Sequence, residues 1–144
     1  MRVVLSLLLA LLLACLAACD PSRPAATANL RAQLIGTWLS ESEEEGIRTC
    51  TVLELAEPGE FREIEKIDDG KGSPREVRTS GEWSFDGTNL KRKYTRRQGQ
   101  PLPMNYFATT GYAIHMTSND RFVGVDNLRH RSVSFERTST NVCP

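Results

Sequence analysis

The sequence predicts an all-β domain: about eight short antiparallel strands in a meander that closes into a barrel, with one short helix before them. Three observations carry this reading. Val77, Thr79, Gly81, Trp83 and Phe85 alternate with Arg78, Ser80, Glu82 and Ser84, the period of a strand with one buried face. Turn residues, Pro58-Gly59 and Asp86-Gly87 above all, punctuate the chain at hairpin spacing. No helical periodicity follows Gly36. Closure suits such a chain because it leaves no sheet edge exposed. Eight strands enclose an interior just wide enough for side chains or one small ligand.

In chain order, a helix is expected over 29–35. Leu30 and Leu34 lie at i and i+4, Asn29 can cap the start and Gly36 can stop it. Strands follow over 37–40 and 46–56, the latter with Thr49, Thr51, Leu53 and Leu55 on one face. Over 60–67 the apolar residues Phe61, Ile64 and Ile67 do not alternate, which implies a bulge. Residues 68–74, rich in Gly and Asp, form a loop. The alternating strand over 77–85 comes next, then strands over 90–97, 107–117, 121–125 and 131–137. Val133 and Phe135 face inward in the last.

The N-terminus is of another kind. Met1-Arg2 is followed by an apolar run to Leu13 broken only by Ser6, then by small residues. That order is a secretory signal over 1–18, too short for a membrane span. Leu16-Ala17-Ala18-Cys19 resembles the lipobox of bacterial lipoproteins. The resemblance implies cleavage before Cys19, lipidation of Cys19 and a membrane anchor facing the periplasm. Asp20 behind it favours the inner membrane in enteric bacteria. Residues 19–28, with Pro21, Pro24 and small residues, read as a tether reaching roughly 30 Å. The domain proper is 29–144. Of four cysteines, Cys15 leaves with the signal and Cys19 carries lipid, so Cys50 and Cys143 are left to pair in an oxidising compartment. Two buried free thiols are the alternative.

Leu34-Ile35-Gly36-Thr37-Trp38, a helix running into Gly-x-Trp, resembles the opening of lipocalin-like domains. The stretch Gly81-Glu82-Trp83-Ser84-Phe85-Asp86-Gly87-Thr88-Asn89-Leu90 resembles the central hairpin of small lipocalin-like lipoproteins. The likeness implies that Gly36 and Trp38 close the barrel floor and that Arg137 packs across Trp38 by a cation–π contact; Trp83 is a core residue by its alternation. The family's Thr-Asp-Tyr signature is absent; Asn119-Asp120-Arg121-Phe122 stands in its region.

The densest charge cluster is Lys91-Arg92-Lys93-Tyr94-Thr95-Arg96-Arg97. Strand alternation sends Arg92, Tyr94 and Arg96 to one face, and both faces cannot be core. Either the run is a solvated face that could also grip anionic headgroups, or an arginine lies inside the barrel. An interior arginine requires an anion, and Glu63 or Glu65 can supply one. Arg92, Tyr94, Arg96 and Tyr112 are therefore the candidate ligand-binding or partner-binding residues. Glu41-Ser42-Glu43-Glu44-Glu45 reads as a solvated first hairpin loop, lacking the glycine spacing of a calcium loop.

His115 and His130 show no metal-ligand spacing, and no metal or cofactor is expected. No nucleophile elbow, zinc-protease motif, P-loop or dinucleotide fingerprint is present, so no catalytic residue is assigned and a non-enzymatic protein is expected. Lys plus Arg number 18 and Asp plus Glu 18, so no global field points to nucleic acid. The expected partners are the membrane, through the lipid, and a small apolar ligand or an envelope protein. The alternative is an inhibitor of the lysozyme-inhibitor kind, or an assembly factor, binding a protein through its loops.

Overall fold

The computed structural model describes residues 22–103 and 108–143. The signal over 1–18, Cys19, Asp20 and Phe107 lie outside the described residues. One helix, α1 (Ser22–Leu34), precedes nine strands. These are β1 (Gly36–Glu44), β2 (Ile47–Ala56), β3 (Glu60–Asp68), β4 (Arg75–Phe85), β5 (Asn89–Arg97), β6 (Gln100–Pro101), β7 (Thr109–Ser118), β8 (Arg121–Asp126) and β9 (Ser132–Arg137). Each long strand pairs antiparallel with its neighbours, and β9 returns to β1 through Trp38↔Arg137 and Leu39↔Glu136. The result is the closed eight-stranded barrel that the alternation predicts, with the two-residue β6 beside the end of β5.

Three expectations need correction. The helix begins at Ser22, not Asn29, so most of the stretch read as a tether is helical. Pro24 falls in the first turn, where no N–H bond is lost, and Ala25, Ala26 and Ala28 are strong helix formers. The acidic run is not a loop, because Glu41 to Glu44 extend β1 and the turn is only Glu45-Gly46. Solvated strand positions tolerate charge, so polarity alone misplaces that boundary. Strand β3 carries no bulge; it pairs without interruption from Arg48↔Asp68 to Ala56↔Glu60. Its pattern fails to alternate because Glu63 and Glu65 face inward and Ile64 outward.

The lower interior is apolar and buried. Trp38, Leu53, Leu55, Phe61, Trp83, Leu90, Phe122 and Phe135 form one core with Leu34 of α1 beneath them. Phe122 meets Trp38 edge-on at 4.7 Å and stacks on Phe135 at 4.8 Å. Nearer the other end the interior also carries polar side chains, Ser40, Thr49, Thr51, Thr79 and Thr110, alongside Val77 and Ile67. The barrel thus has a closed apolar end under the helix and a polar opposite end.

Cys50 and Cys143 are bridged, with Cα atoms 5.9 Å apart. Cys50 has outward parity, so the bridge pins the C-terminal tail to the outer wall. Val52, also outward, is nearly covered and shares a groove with Asn141 of that tail. Alkylation of the denatured, unreduced domain is expected to label neither cysteine. Reduction is expected to lower stability by about 4 kcal/mol, because the bridge closes a loop spanning most of the domain. Denaturant melts with and without reductant check this.

The β4–β5 and β8–β9 turns carry capping carboxylates. Lys91 and the amides of Asn89 and Thr88 hold Asp86 far below the usual carboxylate range, and the amides of Arg129 and Leu128 hold Asp126 down. A depressed folded pKa means stability present above the unfolded value and lost as pH falls toward the folded one. The contribution of both caps is therefore expected to fade below about pH 4. Asp86→Asn is expected to flatten part of that acid limb in a stability-versus-pH series.

Candidate functional site

Two arginine–tryptophan stacks seal the closed end. The Trp38 indole N–H donates to the carbonyl of Leu34, 2.8 Å, satisfying the end of α1. The Arg137 guanidinium lies 4.2 Å from the Trp38 ring and donates to the carbonyls of Ile35 and Gln33, 3.0 and 2.7 Å. It also reaches Asp120 of the β7–β8 turn at 3.3 Å. Gly36 makes this possible: a Cβ there would stand 2.3 Å from Nη1 of Arg137. The second stack, which sequence reasoning missed, places Arg31 4.2 Å from the Trp83 ring. Arg31 donates to the Pro58 carbonyl at 2.7 Å, while the Trp83 indole donates to Ala56 at 2.8 Å. Leu30 and Arg31 lie one step apart on α1, and only the apolar one was legible as a packing residue.

The chemistry above this floor centres on Arg92. It is 4% exposed, inside the barrel, and its Nη1 donates to the Glu63 carboxylate, the anion expected for an interior arginine. Three aromatic rings surround the guanidinium: Phe61 and Tyr94 at 5.7 Å and Tyr112 at 5.2 Å. Gly81 sits between the Phe61 and Tyr94 strands; lacking a side chain, it lets their rings meet edge-on at 5.2 Å. Of the four candidate residues, Arg92, Tyr94 and Tyr112 come together.

Arg96 does not join them. Tyr94 pairs with Gly81 but Arg96 pairs with Ser80, so Thr95 is an extra residue in β5. This bulge reverses the parity beyond it and turns Arg96 outward, where it lies against the Gly99 carbonyl at 3.4 Å. The outward residues of the basic run, Lys91 and Lys93, pair with Asp86 and Glu82 on the surface.

Three buried polar atoms have no hydrogen-bond partner among the described residues: Arg92 Nε, Thr79 Oγ1 and Thr110 Oγ1. The pairing sets each threonine beside one member of the Arg92–Glu63 pair. Thr110 lies beside Arg92 across β5–β7, and Thr79 lies beside Glu63 across β3–β4. Alternation gave Thr79 its inward face but no role, and the sequence assigned no face to Thr110; neither was a candidate site residue.

His115 is exposed on the outer wall and His130 lies in the β8–β9 turn. Among the described residues no group of His, Cys, Asp or Glu could hold a metal ion, and no helix is long and apolar enough to cross a membrane. No protein-family model matches this chain, and no curated protein matches it.

Proposed function

We propose that this chain is a lipid-anchored lipoprotein facing the periplasm that acts as a non-enzymatic binding module, with its site inside the barrel. The observation that carries the reading is the buried Arg92–Glu63 pair, with unpartnered polar atoms around it, above a filled apolar floor. A protein that needed its interior only for stability would gain more from apolar residues there, since a buried ion pair is a poor source of stability. The lipobox at Cys19 supports the anchor, and the disulfide fits an oxidising compartment. Only Asp20 and Pro21 separate Cys19 from α1, which packs at the closed end. On this reading the closed end sits near the bilayer and the polar end opens away from it.

A second reading, protein binding through loops, is favoured by Leu128, 82% exposed at the tip of the β8–β9 turn. Native mass spectrometry of the lipidated protein, extracted from its own envelope, separates the two. A retained small molecule supports the interior site; a retained protein with no small molecule supports the loops. Cys19→Ser is expected to abolish lipidation and membrane retention, read by mass and fractionation. Normal retention without lipid mass would remove the anchor from the account.

A further inference from the structure

We propose that the interior site takes the carboxylate of a small molecule on the free edge of Arg92; this rests on the interior-binding reading above. Glu63 engages the guanidinium through Nη1 and leaves the opposite edge of the fork unused by it. Nε is buried and unpartnered, and with Nη2 it forms the edge that matches a carboxylate by two parallel hydrogen bonds. Thr79 Oγ1 and Thr110 Oγ1 are likewise buried without partners on the strands flanking the pair. Each hydroxyl can donate, so the three orphaned groups together ask for an acceptor with several lone pairs. A carboxylate has them; an apolar ligand would leave all three unpaired, each at a cost. The Tyr94 and Tyr112 rings that flank the guanidinium offer apolar contact to the rest of such a molecule. Glu63 is thus a positioning residue, and Arg92, Thr79 and Thr110 make the contacts.

The test is a titration of the ¹⁵N-labelled, disulfide-bonded domain with sodium acetate and sodium butyrate, following the arginine Nε–Hε resonances. Sodium chloride at equal ionic strength is the control. Arg92→Lys assigns the Arg92 resonance by its loss. The expected result is a saturable shift of the Arg92 Nε–Hε with at least one carboxylate and not with chloride. Thr79→Val and Thr110→Val, which keep the side-chain shape, are expected to weaken it about tenfold each. No saturable shift overturns the proposal, as does an equal shift with chloride (an adventitious ion only) or indifference to both valine variants. If the native mass spectrum shows a retained molecule without a carboxylate, interior binding stands and this assignment falls. If nothing is retained and no shift appears, both fall.

Discussion

Trp38→Ala and Trp83→Ala are each expected to destabilise the domain by about 3–5 kcal/mol. Both rings are buried, at 0% and 4% exposure, and each does more than fill space. Trp38 satisfies the last turn of α1, supports Arg137 and packs on Phe122; Trp83 supports Arg31 and binds the chain at Ala56. Removing either ring leaves a cavity in a closed barrel whose strands cannot easily collapse into it. Against a whole stability of about 5–15 kcal/mol, such a loss brings the domain near unfolding. Arg78→Ala, on the outer face of β4, is the contrast. Arg78 is exposed and, among the described residues, its side chain pairs with Glu76 alone, so its loss is expected to cost well under about 1 kcal/mol. Denaturant melts of the three variants check this. Equal damage from Arg78→Ala and Trp83→Ala would reverse the assignment of inside and outside.

Glu63→Ala is expected to cost about 3–5 kcal/mol, because it strands the buried Arg92 cation without its carboxylate. The double variant Glu63→Leu with Arg92→Met is expected to regain most of that loss, since an apolar pair of similar volume removes both charges together. A double-mutant cycle by denaturant melts therefore gives a large coupling energy. The same double variant is expected to lose the retained small molecule while keeping its fold. That combination separates a binding role for the pair from a structural one. A double variant as unstable as Glu63→Ala would mean that the pair holds the barrel together and that its binding role lacks support.

Much of this fold is legible in the sequence, and for definite reasons. Period-two alternation fixes the face of β4, because one register buries Trp83 and the other buries Arg78. The Asp86-Gly87 turn fixes the β4–β5 hairpin, and Gly36-Thr37-Trp38 marks where helix gives way to barrel. The sequence left two readings of the basic strand open, a solvated face or an arginine inside the barrel with Glu63 or Glu65 as its anion, and burial of Arg92 against Glu63 decides for the second. What escaped was non-local. The Thr95 bulge depends on how β5 meets β4, where a Cβ on Gly81 would stand 1.9 Å from the Lys93 carbonyl; residue spacing alone keeps Arg96 in line with Arg92. Thr79 and Thr110 gain meaning only from Glu63 and Arg92 beside them, on strands far apart in sequence. The early start of α1 escaped because two prolines outweigh three alanines in a local reading, although Pro24 in a first turn costs nothing.

The claim that most of this account depends on is that the interior around Arg92, and not the turns at the open end, receives the ligand. Amide chemical-shift mapping of the ¹⁵N-labelled domain against a small-molecule extract of the cell envelope tests it most directly. Saturable shifts are expected at Thr79, Gly81, Arg92, Thr110 and Tyr112. Shifts confined to the turns at 45–46, 69–74 and 127–130, or none at all, would contradict it.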